Sequence, residues 1–301
     1  MAAAAALLIV GSGFGDLPGA HAEPGCAGSD RVFAVRAMDG RLAEIAACQD
    51  GFGAAVEVDA ADWRGYVAIF AARDGDAAVV YAVTPGGQLW WRRQERAGAG
   101  LGGAVRVGAD LDWNQPVVFA SRPGYLQLGR TGSPVLTLRH EAWASGGATV
   151  AQQANLLPMM SAPSMSGLGP NFAVETWQGM NFRGWWFYDR WGRFESDVWY
   201  VSGLLPTGVD SAAGAGTELY GLDESGGIVL LRQVSGSPSS CPLYDQRPWE
   251  ITARAAGDYA RVVVPVAEDP PGPPAVSMVT SRTKCGLTRV SEPWEWQSGG
   301  P

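Results

Sequence analysis

The stretch "WRGYVAIFAARDGDAAVVYAVTPGGQL", Trp63 to Leu89, is written again about fifty residues later as "WNQPVVFASRPGYLQLGRTGSPVL", Trp113 to Leu136. In register, Trp63 matches Trp113, Phe70 matches Phe119, Ala71 matches Ala120, Arg73 matches Arg122 and Gly75 matches Gly124. The offsets are 113 − 63 = 50 and 119 − 70 = 49. Each copy holds an extended run, a turn, a second extended run and a further glycine-bearing turn. Self-similarity at this period, in units of strand character, restricts the chain to a propeller or a repeat array.

The unit contains a hairpin that recurs along the chain. The copies are "VFAVRAMDGRLAEI", "VYAVTPGGQLWW", "YLQLGRTGSPVL", "WWFYDRWGRFES", "LYGLDESGGIVL" and "VSMVTSRTKCGLTRV". The first turns at Asp39-Gly40, a pair suited to a type I′ turn because both central residues need positive φ. Aligned on Phe33, Tyr81, Leu126, Trp186, Tyr220 and Ser277, the copies are spaced by 48, 45, 60, 34 and 57 residues. Further runs, such as "YVAIFAAR" before a hairpin and "AAVEVDA" after one, bring the unit to four strands. No long segment carries a capped 3.6-residue apolar stripe, so no long helix is expected.

The expected fold is therefore all-β: a β-propeller of six four-stranded blades, with five or seven also within the scatter of the spacings. Blades pack face to face, so a strand is buried on both sides. This accounts for runs such as "YVAIFAA" and "VVYAV", which are nearly continuous rather than alternating. It also gives the alanines a place where strands crowd toward the axis. A sandwich would not repeat the Trp-Phe-Ala-Arg-Gly register, and a parallel β-helix needs a shorter repeat.

The phrase "VYAVTPGGQLWWRRQ", followed by "W…PVVFASRPG", resembles the repeat of tachylectin-2-type lectins. The likeness covers residues 32–140, returns around 217–232, and is poor over 141–200. It implies a β-propeller that binds N-acetylated amino sugars at sites repeated around the ring. The chain departs from that family in its six hairpins against five blades in the type member, in its irregular spacing and in its cysteines.

Composition narrows the partners. Net charge is −8, and Lys284 is the one lysine. The mean field repels a duplex or an anionic bilayer, so neither nucleic-acid binding nor membrane insertion is expected. Arg92, Arg93 and Arg96 form the densest basic group and read as a solvated hairpin end. The opening "MAAAAALLIVGSGFGDLPGAHA" has a short apolar core and a small-x-small site at Ala20-His21-Ala22, although it lacks a basic start. The expected division is a signal peptide over residues 1–22 and one propeller domain over 23–301, in a secreted, extracellular protein.

Catalytic chemistry has few candidates. Once residues 1–22 are removed, His140 is the one histidine, and it reads as a polar strand-edge residue. No nucleophile elbow, phosphate loop or dinucleotide fingerprint is present, and no metal or cofactor is expected. A carboxylate pair is the open enzyme route, with Glu175, Asp189, Glu195 and Asp197 clustered in the fourth repeat. Asp39, Asp74, Asp76, Asp223 and Glu224 adjoin turn glycines and read as turn formers.

Thirteen tryptophans are the more informative feature. Trp63 and Trp113 share a repeat position and read as wedges between blades. Trp90, Trp91, Trp185, Trp186 and Trp199 come in pairs or near turns, and strand alternation turns one of each pair away from the other. An exposed indole stacks on the C–H face of a sugar, and one weak site per blade would gain avidity from multivalency. The expectation is a glycan- or polysaccharide-binding propeller. An extracellular glycan-active enzyme and a protein-binding scaffold are the alternatives.

Cys26, Cys48, Cys241 and Cys285 are an even set in a chain expected to be exported, so two disulfides are expected. Cys26 enters the first hairpin and Cys48 ends it, on the same face of one blade, which favours Cys26–Cys48 and leaves Cys241–Cys285. Peptide mapping under non-reducing conditions should find these two linked pairs; a Cys26–Cys285 peptide overturns the assignment.

Overall fold

The computed structural model describes residues 30–48, 51–129, 135–152, 164–169, 172–177, 181–190, 193–201, 209–215, 218–233 and 249–266. Short apolar runs and glycine turns divide these residues into short strands. They are β1 (Asp30–Arg36), β2 (Leu42–Cys48), β3 (Gly51–Asp59), β4 (Ala68–Asp74), β5 (Ala77–Val83), β6 (Leu89–Gln94) and β7 (Val105–Val107). There follow β8 (Val117–Arg122), β9 (Tyr125–Gly129), β10 (Leu136–His140), β11 (Val150–Gln152), β12 (Ser164–Gly169), β13 (Phe172–Trp177), β14 (Asn181–Arg190) and β15 (Arg193–Val201). The last are β16 (Val209–Ala215), β17 (Glu218–Asp223), β18 (Ile228–Gln233), β19 (Trp249–Ala255), β20 (Tyr259–Val263) and β21 (Pro265–Val266). Among the described residues the one helical element is a 3-10 turn at Trp143–Ser145.

These strands form five sheets. Their orders are β20-β1-β2-β3, β4-β5-β6-β7, β8-β9-β10-β11, β12-β13-β14-β15 and β16-β17-β18-β19, with β21 added beside β4. The first strand of each sheet neighbours the first strand of the next: β20 lies beside β4, β4 beside β8, β8 beside β12, β12 beside β16 and β16 beside β20. The circuit is closed, and the protein is a β-propeller.

Five blades replace the six expected, for two reasons. In four of the five blades the repeated hairpin joins the second and third strands, as in β1–β2, β5–β6, β9–β10 and β17–β18. "WWFYDRWGRFES" is β14–β15, the third and fourth strands of its blade. That one-strand offset produced the neighbouring long and short spacings. The second reason is closure. The run "ARVVVPVAE" read as the lead-in to a sixth hairpin, but it supplies β20, which pairs antiparallel with β1 and completes the first blade. The sixth hairpin, "VSMVTSRTKCGLTRV", lies outside the described residues.

Packing follows from strands buried on both faces. Every residue of β5, Ala77–Val83, is buried. Val79, Tyr81 and Val83 face the third blade, packing with Leu126, Leu128 and Leu138. Ala78, Val80 and Ala82 face the first blade, where Phe33, Val35 and Leu42 fill the space. The alanines are thus the small side of a small-against-large seam and are not confined to the axis. Trp63 and Trp113 are fully buried wedges in these two seams, as their shared repeat position suggested. On its other face the first blade packs Val32 and Ala47 against Tyr220 and Leu230 of the fifth.

A recurrent hydrogen bond joins each described seam. The turn glycine between a blade's second and third strands presents its carbonyl to the aromatic residue that opens the next blade. Trp63 N donates to Gly40 O at 2.8 Å, Trp113 N to Gly87 O at 3.0 Å and Tyr259 N to Gly226 O at 2.9 Å. An aspartate precedes each aromatic: Asp62, Asp112 and Asp258. The glycine is required twice over at Gly87, where φ is +73° and a Cβ would run into Asp112 Oδ1.

Trp113 carries both the seam packing and this tie, and its indole Nε1 donates to Gly108 O at 3.1 Å. Trp113→Ala should lower unfolding free energy by about 3–5 kcal/mol, measured by denaturant titration. Met38→Ala, at a side chain 80% exposed, should stay within about 0.5 kcal/mol of the parent.

Candidate functional site at the mouth of the ring

The inner strands β4, β8 and β20 all start on the face of the ring that carries the Asp-aromatic segments. Between their first residues lies an open cavity of about 830 Å³. Its described lining is Val67, Ala68 and Ile69 from β4 and its lead-in, Asn114, Gln115, Pro116 and Val118 at β8, and Ala260 to Val263 on β20. After β20 the chain turns into the axis as β21, running parallel to β4 with Pro265 opposite Ala71 and Val266 opposite Ala72. These pairings lie deeper along β4 than the cavity residues, and Pro265 and Val266 are buried. Below the cavity the axis is therefore filled by the protein's own chain.

Polar groups at the mouth are held in defined ways. Asp112 Oδ1 accepts from Asn114 N at 3.0 Å, and Asn114 Nδ2 donates to Pro85 O of the preceding turn at 3.0 Å. Gln115 Nε2 donates to Asp112 Oδ2 at 2.9 Å. In the second blade, Asp62 Oδ1 accepts from Arg64 N at 3.0 Å, and Arg64 reaches Ala37 O and Met38 O at 3.1 and 3.0 Å. The Arg64 guanidinium holds the Asp62 carboxyl down at about 2. Arg261 is half-buried, and burial lowers its pKa from the ordinary arginine value. It remains charged at any ordinary pH.

The tryptophans singled out from the sequence are dispersed. Trp91 is buried in the seam between the second and third blades, and its Nε1 donates to Trp143 O at 2.7 Å. Trp90, its neighbour on β6, is half-buried. Strand register places Trp185 opposite Ala173 and Val198, Trp186 opposite Phe172 and Asp197, and Trp199 opposite Gly184. The side chains of these three tryptophans, and those of Glu175, Asp189, Glu195 and Asp197, lie outside the described residues.

The basic group is not simply solvated, whereas Cys48 is in a disulfide as expected. Arg92 is ion-paired with Asp59, and Arg93 with Asp74 at 2.8 Å; of the basic group only Arg96 is exposed. Cys48 ends β2 and is disulfide-bonded. Cys26, Cys241 and Cys285, among which its partner lies, fall outside the described residues.

His140 is not at a solvent edge. It is 1% exposed, in the seam between the second and third blades. Its Nε2 lies 2.5 Å from Gly147 O, which can only accept, so the proton is on Nε2. Nδ1 then accepts from Tyr81 Oη at 2.8 Å. Burial of the seam, a consequence of the ring, was invisible in the local pattern "LRHEAW". Among the described residues, no cluster of histidine, cysteine and carboxylates gathers as metal ligands. Nor is any helix long and apolar enough to cross a membrane.

No family model matches the chain, and no curated protein matches it. Among solved structures, AofleA from Arthrobotrys oligospora is similar at 11% identity and TM-score 0.40, covering 80% of this chain and 90% of that one. A protein described as a 6-phosphogluconolactonase, from Bacteroides uniformis, is similar at 11% identity and TM-score 0.36. That match covers 69% of this chain and 65% of the other, so this chain spans less than two thirds of it. Prp20p from Saccharomyces cerevisiae is similar at 10% identity and TM-score 0.31, covering 69% of this chain and 56% of that one. The propeller architecture rests on the strand order and the closed circuit.

Burial lowers the His140 pKa below its ordinary 6.5, with the Gly147 bond opposing in part. A base whose folded pKa is depressed binds its proton less readily when folded. Its stabilising contribution is present above the unfolded pKa and is lost as pH falls through 6.5 toward the folded value. The denaturation midpoint of the parent should therefore fall between about pH 6.5 and 5, relative to that of His140→Phe. Parallel midpoint curves for the two proteins would refute the assignment.

Proposed function

We propose that this propeller is an exported carbohydrate-binding protein whose principal site is the axial cavity. The observation that carries the proposal is the cavity's form and lining. At about 830 Å³ it lies in the usual range for small-ligand sites. Its wall pairs apolar surface from Ile69, Pro116, Val118 and Val262 with polar side chains from Asn114, Gln115 and Arg261. A saccharide needs that combination: apolar wall for its C–H face and fixed donors and acceptors for its hydroxyls.

Further support comes from the residues. The resemblance of "VYAVTPGGQLWWRRQ" to tachylectin-2-type repeats points to N-acetylated amino sugars, and five blades agree with the blade number of that family's type member. Half-buried Trp90 is retained as a second stacking surface. The apolar opening with its Ala20-His21-Ala22 site supports export after cleavage at residue 22. The net charge of −8, with Arg92 and Arg93 already ion-paired, argues against nucleic acid as partner.

A glycan array probed with the mature protein should give reproducible binding to a limited set of sugars without their hydrolysis. Val67, at the cavity rim and 43% exposed, can be enlarged without touching the core. Val67→Trp should abolish the array signal with an unchanged thermal midpoint, while Trp90→Ala should retain most of it. Silence across the array overturns the carbohydrate reading. Sugar release that is lost in Glu195→Gln or Asp197→Asn moves the assignment to an enzyme.

A further inference from the structure

Six arginines with described side chains have a close acidic partner. Arg36 and Arg41 share Glu57, Arg64 pairs with Asp62, Arg92 with Asp59, Arg93 with Asp74 and Arg254 with Asp223. Arg31, buried between the first two blades, donates to Asp76 O, Ala77 O and Gln94 Oε1 and lies 3.9 Å from Glu44. Arg96 and Arg139 are exposed, where water serves the guanidinium at no cost.

Arg261 differs from all of these. It is half-buried, it lines the axial cavity, and among the described residues no hydrogen bond or ion pair reaches its guanidinium. Its desolvation is not offset by any nearby carboxylate among those residues. A guanidinium withdrawn from water without acceptors is unfavourable. In a chain with 30 acidic residues, the missing counter-charge is not for want of supply.

We propose that the cavity takes an acidic sugar, with Arg261 as the counter-ion to its carboxylate. The inference rests on the carbohydrate reading of the cavity and specifies its ligand class. The planar fork of arginine matches a carboxylate through two parallel N–H···O bonds. One lone guanidinium suits a monoanion, and the chain's negative field disfavours a ligand of higher charge. Asn114 sits on the same wall with its Nδ2 committed to Pro85 O. That bond fixes the amide and leaves Oδ1 as an acceptor for a sugar hydroxyl. Pro116 and Val262 provide apolar wall for the ring.

The test is calorimetric titration of the mature protein with matched monosaccharides: glucose, N-acetylglucosamine, glucuronate and glucose 6-phosphate, then the galactose and mannose sets. In the parent the uronate should bind at least about tenfold tighter than its neutral counterpart, the worth of one charge-assisted contact. The phosphate should bind more weakly than the uronate. Arg261→Gln should bring the uronate-to-neutral ratio close to one. Arg261→Lys, which keeps charge but loses the fork, should give an intermediate ratio, and it also serves if the glutamine variant fails to fold. Equal affinity for charged and neutral sugars, preference for the phosphate, or a ratio that survives Arg261→Gln overturns the carboxylate assignment and leaves the carbohydrate reading standing. If no sugar of any charge binds the parent, both fail together.

Discussion

One backbone hydrogen bond, repeated from blade to blade, sets the geometry of this ring. The glycine carbonyl of one blade's central turn is fixed to the N–H of the aromatic that opens the next, at Gly40–Trp63, Gly87–Trp113 and Gly226–Tyr259. The bond decides where each inner strand begins, and the aromatic side chain then fills the seam it has opened. A blade has two apolar faces and no way to cover either alone. Stability therefore resides in the seams, and the ring must close for the first and last blades to be covered at all.

Closure is where the repeat is broken, and the break shapes the candidate site. The inner strand of the first blade comes from β20, more than two hundred residues downstream of its β1 partner, as 261 − 35 = 226 for the pair Arg261 and Val35. The chain then continues into the axis as β21. A ring closed at its first strand needs no such continuation, and the added segment turns an axial channel into a cavity floored by protein. The mouth is therefore concave and one-sided, with inner-strand starts as its walls.

Much of this was legible in the residues. The paired Trp63 and Trp113 registers revealed the repeat, and the hairpins at Gly40, Gly87 and Gly226 placed its turns correctly. The blade number was misread because "WWFYDRWGRFES" has the look of the central hairpin while being the outer one. It was misread also because Tyr259 stands where the earlier copies have tryptophan. The better signal was the aspartate before the aromatic, present at Asp62, Asp112 and Asp258. His140 and Arg261 could not be found in this way. A histidine becomes a seam residue only when another blade brings Tyr81 to it, and a lone arginine in an apolar run carries no local sign of what will surround it.

The repeat also explains why three of the blades bring different groups to the mouth. Counting from the opening aromatic, the next residue is Arg64, Asn114 or Ala260, and the one after it is Gly65, Gln115 or Arg261. At the first of these positions Arg64 and Asn114 both reach back to carbonyls of the preceding turn. Ala260 is too short to do so, and the bond from Ala37 N to Asp258 O at 2.8 Å ties that segment only to the turn of its own blade. The second position carries no duty common to the three blades, so its residues have diverged. Gly65 offers nothing, Gln115 is tied to Asp112, and Arg261 alone brings an uncommitted charge to the axis. Arg261 thus sits at the repeat position that the scaffold does not need, in the blade that β20 completes beside β1.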